Sequence, residues 1–162
     1  GLPGRIVNIT SLGGKIGSPL LAGYCSAKHG LEGLSESLRR ELILYDIDVV
    51  VVGPGAVKTP IWEKAKGSDV RYSATDFGPA MKALAALMEG AARDGLEIER
   101  VGEVVYRALT VRRPRVRYAV APNWLFDWVL PRALPRRWVD RMFAKQLKLN
   151  DRRGLSTSST NL

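Results

Sequence analysis

Apolar positions along the chain alternate between short runs and helical stripes. Arg5-Ile6-Val7-Asn8-Ile9 leads into Thr10-Ser11 and predicts a buried strand over 5–10. A loop rich in Gly, Pro and Ser spans 12–19. One long helix is then expected from about Leu20 to Tyr45, with Leu31, Leu34, Leu38 and Leu42, three or four apart, as its apolar stripe. Glu36 and Arg40 sit at i,i+4 on its outer face, the acid on the favourable N-terminal side. Asp48-Val49-Val50-Val51-Val52 is a continuous β-branched run, as in a parallel strand covered on both faces, and Gly53-Pro54-Gly55 ends it. A polar, irregular stretch from Thr59 to about Gly78 carries Trp62, Tyr72 and Phe77. Pro79 opens a helix to about Arg93, Gly95 breaks it, and Val101–Leu109 reads as the next helix. Arg115 to Ala121 alternates basic and apolar residues, as a third strand does.

Strand, helix, strand, helix, helix, strand is the order of βαβ units, so the fold class is α/β with a parallel sheet. Three strands are few for a doubly wound sheet. With 162 residues, 46% of them hydrophobic, the chain has the size of one domain and the composition of a globular protein. No apolar run is long enough to cross a bilayer. The single cysteine, Cys25, excludes an intrachain disulfide framework and a cysteine-based zinc cluster, and fits a reducing, cytoplasmic setting. It is read as a small packing residue. The net charge of +9 is unevenly placed: residues 1–99 carry 11 Lys and Arg against 12 Asp and Glu, whereas 100–153 carry 14 against 4.

Candidate chemistry gathers near the first strand. Tyr24 and Lys28 are four residues apart and share one helical face, one turn from each other. Ser11 lies thirteen residues before Tyr24, at the carboxyl end of the strand, the edge where open α/β sheets bind ligands. A phenol has an unperturbed pKa of about 10 and alone is a poor base at neutral pH. An ammonium one turn away favours its ionised form. His29 points about 100° away from Lys28 and is read as a surface residue. No G-x-S-x-G elbow surrounds Ser11, which argues against a hydrolase.

Asn8-Ile9-Thr10-Ser11, Tyr24-Cys25-Ser26-Ala27-Lys28 and Pro54-Gly55-Ala56-Val57-Lys58-Thr59 together resemble the second half of a classical short-chain dehydrogenase/reductase, over residues 4 to about 122. A lone YxxxK is weak. The serine thirteen residues before it and the PGxVxT turn some thirty residues after it make the pattern specific. The resemblance implies the carboxyl half of a Rossmann-like doubly wound sheet. The chain has no glycine-rich strand-turn-helix for a pyrophosphate and starts with Gly, so a truncated or processed product lacking the coenzyme-binding half is expected. Such a product would hold neither NADH nor NADPH appreciably.

The implied activity is an NAD- or NADP-dependent oxidation of an alcohol or reduction of a carbonyl. By resemblance, Tyr24 is the general acid/base, and Lys28 lowers its pKa and binds the nicotinamide ribose. Ser11 orients the substrate oxygen. Pro54, Gly55, Val57 and Thr59 line the nicotinamide end, and no metal is required. Ile61 and Trp62, with the other aromatic residues after Thr59, suggest an apolar small-molecule substrate. A homo-oligomer formed through the helix over 20–45 is implied as well. The rival readings are a non-catalytic membrane-surface or interaction protein that keeps the half-fold, and an extended epimerase or dehydratase relative, for which little room remains after residue 60.

Three segments are expected: 1–122 for the half-domain, 123–150 for a basic amphipathic extension, and 151–162 for a disordered tail. Residues 123–149 interleave Trp124, Trp128 and Trp138 with arginines and lysines, and Pro131 and Pro135 divide them into short helices. This segment is read as packing over the pocket or a subunit interface, with contact to an anionic membrane surface as the alternative. No nucleic-acid-binding module is recognisable.

Overall fold

The valine run becomes the middle of the sheet. In the computed structural model, which describes residues 4–65 and 72–150, β2 (Asp48–Pro54) lies between β1 (Arg5–Ile9) and β3 (Arg117–Val120). Both pairings are parallel, with register Arg5↔Asp48 to Ile9↔Val52 on one side and Val51↔Arg117 to Pro54↔Val120 on the other. A central strand covered on both faces needs apolar side chains at consecutive positions, and Val49 through Val52 are all buried.

Two units divide the described residues: 4–59 with 91–133, and 60–65 and 72–90 with 134–150. In the first unit, Val50, Val52 and Val120 pack with Ala108 of α4 (Ile98–Thr110), and Val7, Val104, Val105 and Tyr118 close around them. Arg5 fastens the carboxyl end of that helix. Its guanidinium donates to the carbonyls of Ala108, Leu109 and Val111 at 3.2, 2.9 and 2.7 Å and pairs with Asp48 at 2.9 Å. A cation at the negative end of a helix satisfies carbonyls that have no intrahelical partner.

Helix α1 (Ala22–Glu41) packs against β2 and departs from the sequence expectation in two ways. It is shorter than 20–45: Leu42–Tyr45 tighten into a 3₁₀ turn, which Asp46 ends in the left-handed region at φ 52°. Its inward face is also not made of the leucine stripe alone. Cys25, Glu32 and Ser35 are buried and Leu31, Leu38 and Leu42 half-buried, while Leu34 of the stripe is 54% exposed. The reason lies in the strand beneath it. β1 presents polar groups to the helix, and Asn8 Nδ2 donates to Ser35 Oγ at 2.9 Å, so polar contacts are set among the half-buried leucines. Glu36 and Arg40 do pair on the outer surface.

Pro131 does not break its segment. A π-helical turn over Leu125–Val129 runs directly into α5 (Leu130–Ala133), and the wider turn before Pro131 accommodates its ring. Pro135 is the actual divider, capping α6 (Arg136–Gln146) of the second unit. That unit also holds α2 (Ile61–Ala65), a short helix where an irregular loop was expected, and most of α3 (Gly78–Asp94). Helix α6 buries Val139 and leaves Trp138 and Met142 exposed among its basic side chains. Among the described residues no helix is long and apolar enough to cross a membrane. The expected disordered tail over 151–162 lies outside the described residues.

Candidate active site

Ser11 stands where β1 ends, and its conformation follows from its side chain. The backbone is extended (φ −168°, ψ 165°), and Oγ accepts the N–H of Gly13 at 3.0 Å, capping a 3₁₀ turn over Leu12–Gly14. This uses one lone pair of the hydroxyl and leaves its O–H able to donate outward. The residue is almost fully buried.

Helix α1 brings Tyr24 and Lys28 to the same place. A methyl group built on Gly13 would lie 3.1 Å from Tyr24 Cε1 and 3.5 Å from Ser11 Oγ, so ring edge and hydroxyl converge on one point beside that glycine. Any side chain there would push the tyrosine away. The ring is 47% exposed, and no described residue hydrogen-bonds its hydroxyl. Lys28 Nζ lies 5.9 Å from the centre of the Tyr24 ring and donates to the carbonyl of Ile9 at 3.3 Å. Serine, tyrosine and lysine, thirteen and four residues apart in sequence, therefore surround the carboxyl end of β1. His29 is exposed, with Nδ1 2.8 Å from the carbonyl of Cys25, and takes no part. Cys25 is buried, its sulfur accepting the N–H of Ser18 at 3.3 Å, as suits a packing residue.

The predicted nicotinamide-side residues lie at the carboxyl end of the neighbouring strand. Pro54 closes β2, and Gly55 N–H donates to Val120 O at 2.7 Å. A side chain at Gly55 would come within 3.2 Å of Leu12 Cδ1 and 3.4 Å of Pro122 Cδ, so this turn packs tightly against the one after Ser11. Val57 bridges to Leu96, an arrangement closed by Lys58 N–H to Leu96 O at 2.9 Å and Leu96 N–H to Ala56 O at 2.8 Å. Thr59 is half-buried at the end of that segment. Ile61 and Trp62 belong to α2 of the second unit, Ile61 exposed and Trp62 half-buried. No three His, Cys, Asp or Glu side chains gather as a metal site requires among the described residues.

Beneath this surface lies a charged cluster that the sequence reading missed. Glu32, two turns beyond Tyr24 on α1, is buried and accepts Thr10 Oγ1 at 2.6 Å and three Arg117 contacts at 2.9–3.1 Å. Burial pushes the Glu32 carboxyl up. Hydrogen bonds from Arg117 and Thr10, with the charges of Arg117 and Lys15, outweigh it and hold the group below the ordinary glutamate value. Arg117 in turn lies between Glu32 and the Trp128 ring, its guanidinium carbon 4.2 Å from the ring centre. Two sequence signals were available: an acid at the i+4, i+8 continuation of the Tyr24–Lys28 face, and an arginine inside an apolar strand.

The family model for short chain dehydrogenase matches residues 1–69. The NADPH-dependent 3-dehydrocapnine reductase of Ornithobacterium rhinotracheale is 36% identical over 145 residues, covering 90% of this chain and 51% of that protein. Retinol dehydrogenase 5 of Mus musculus is 34% identical over 151 residues, covering 85% and 46%. Among solved structures, a short-chain dehydrogenase from Streptomyces avermitilis superposes with a TM-score of 0.60 at 23% identity, over 94% of this chain and 53% of that one. A Burkholderia phymatum short chain dehydrogenase/reductase in complex with NAD gives 0.59 at 21%, over 85% and 48%. The chain thus spans about half the length of the curated relatives it matches. With the parallel sheet, the serine at the strand end and the tyrosine–lysine helix face in one place, the chain belongs to the short-chain dehydrogenase/reductase family.

Proposed function

We propose that this chain supplies the proton-transfer side of an NAD- or NADP-dependent oxidoreductase that interconverts an alcohol and a carbonyl. The observation that carries the proposal is the convergence of Tyr24 and Ser11 beside Gly13, with the Lys28 ammonium on the same helix face. In the reducing direction, the Ser11 O–H donates to the substrate oxygen and holds it toward the phenol. The Tyr24 hydroxyl releases its proton to that oxygen as the carbonyl carbon becomes tetrahedral. In the oxidising direction the Tyr24 oxygen takes that proton back from the alcohol. Lys28 supplies positive charge beside the phenol while the proton moves. A nicotinamide coenzyme, when bound, supplies or accepts the hydride.

The residues present fit the reacting end of that coenzyme. Among the described residues Lys28 Nζ makes one hydrogen bond, to Ile9 O, leaving donors for ribose hydroxyls. Pro54, Gly55, Val57 and Thr59 present a tightly turned edge on the neighbouring strand. The NADPH-dependent Ornithobacterium reductase supports NADPH, and the Burkholderia relative solved in complex with NAD supports NAD. Ile61 and Trp62, directly after Thr59, are proposed as substrate contacts. The retinol dehydrogenases among the relatives support an apolar alcohol. Exposed Leu34, Ile43, Leu44 and Tyr45 support a homo-oligomer formed through the α1 region, and exposed Trp138 and Met142 of α6 support contact with a membrane surface.

Tyr24→Phe tests the proposal. It removes only the hydroxyl, so in a polypeptide that joins this chain to a coenzyme-binding half, carbonyl reduction should fall by at least about 100-fold while the circular dichroism spectrum is unchanged. Turnover retained in that variant would refute the assigned role.

A further inference from the structure

We propose that Glu32 and Arg117 are positioning residues, a buried ionic brace that sets where the Ser11 hydroxyl stands relative to Tyr24; this rests on the oxidoreductase reading above. Tyr24, Lys28 and Glu32 follow one another at i, i+4 and i+8, so one face of α1 carries both the proposed reactive pair and the brace. From Glu32 two bridges reach the end of β1. The direct one is the 2.6 Å hydrogen bond from Thr10 Oγ1. The second passes through Arg117, whose Nε and Nη2 donate to the carboxylate while Nη2 also donates to the carbonyl of Ser11 at 3.2 Å. That carbonyl also accepts Gly14 N–H at 3.0 Å, so the peptide oxygen of Ser11 is held from the sheet side and from its own turn.

The guanidinium has little freedom. Trp128 stacks on it at 4.2 Å, with Arg132 also 4.2 Å from that ring, and Gly53 leaves the space in which it lies. A Cβ at Gly53 would come within 2.3 Å of Arg117 Nη2, so a residue with any side chain would displace the arginine. Lys15 adds a third tie from the turn after Ser11, its Nζ 3.5 Å from Glu32 Oε2. The helix bearing the phenol and the strand end bearing the hydroxyl are therefore joined by directional bonds rather than by apolar packing alone. Directional bonds matter here because an error of about 1 Å in a reacting geometry can cost about 100-fold in rate. The planar fork grips the carboxylate through Nε and Nη2 together while Nη2 also holds the carbonyl, a bidentate geometry that a lysine ammonium does not reproduce.

The test compares Arg117→Lys, Arg117→Met and Glu32→Gln with the unmodified protein by amide hydrogen exchange and by turnover. Gly13 and Gly14 N–H donate to Ser11 itself, so they report its position. Both should exchange at least about tenfold faster in Arg117→Lys and Glu32→Gln, while the amides of Val50 and Val52 in β2 keep their protection. In the same variants, joined to a coenzyme-binding half in one polypeptide, kcat should fall about 10- to 100-fold with the coenzyme KM within about twofold. If Arg117→Met does not fold, the two variants that conserve charge or shape still decide. Unchanged exchange at Gly13 and Gly14 overturns the proposal. So does faster exchange at every amide, β2 included, since that is loss of global stability alone. If Tyr24→Phe leaves turnover intact, the oxidoreductase reading fails, and the exchange result still decides whether the brace positions Ser11.

Discussion

Replacing Glu32 by Leu leaves the Arg117 guanidinium in place without its carboxylate, and the cost can be worked out from the geometry. The pair is withdrawn from water, with side-chain exposures of 4% for Glu32 and 14% for Arg117. Removing one partner of such a pair strands the other charge and costs about 3–5 kcal/mol. Arg117 keeps its bond to Ser11 O and its stack on Trp128, which places the expected loss near the lower end, about 3 kcal/mol. Arg117→Met is milder, because Glu32 retains Thr10 and Lys15; the loss of one charge-assisted fork corresponds to about 2–3 kcal/mol. The double variant strands neither charge. It should lose about 2–3 kcal/mol in total, chiefly the Thr10 and Ser11 hydrogen bonds, rather than the sum of the two singles. Urea unfolding followed by circular dichroism at 222 nm, extrapolated linearly to water, gives all four corners of the cycle. A coupling energy of about 2–4 kcal/mol is expected. A coupling below about 0.5 kcal/mol would refute the reasoning, since it is what a solvated surface pair gives.

Glu32 also makes stability depend on pH. Its carboxyl titrates below the ordinary glutamate value in the folded chain, so its contribution is complete above the unfolded value and is lost as pH falls through the lower, folded one. The stability difference between the protein and Glu32→Gln should therefore shrink as the solution is acidified below the glutamate range, and a constant difference would contradict the assignment. Gly30 lies inside α1 with open space where a Cβ would stand, so Gly30→Ala should raise stability by about 0.5–1 kcal/mol and the thermal midpoint by about 1–4 °C. A lower midpoint would mean that this helix face is covered by something in solution.

The amino-acid sequence alone determined the sheet and the proposed reactive triad. The consecutive valines at 49–52 have no favourable place other than a covered parallel strand, and its neighbours followed from periodicity. Tyr24 and Lys28 were legible because a helix fixes residues four apart on one face whatever surrounds it. Ser11 was legible because a strand end places its next residue at the ligand-binding edge of the sheet. These are consequences of local geometry.

Only the tertiary structure decided which polar residues of α1 are buried. Of the stripe Leu31, Leu34, Leu38 and Leu42, the obvious core face by hydropathy, three are half-buried, yet Glu32 and Ser35 lie deeper because Asn8, Thr10 and Arg117 lie beneath them. A buried carboxylate is tolerated only when charges and donors from distant segments neutralise it, and Arg117 is 85 residues away. Hydropathy patterns carry no information on such pairings, since they score each residue against water rather than against its partner. Pro131 was misread for a related reason: a proline ends a helix only where its missing N–H or its ring conflicts with the preceding turn, and the π turn over Leu125–Val129 lets the chain run on. The sequence thus specified where chemistry could occur, while the fold specified what holds Ser11 and Tyr24 in register, because that depends on contacts between residues far apart in the chain.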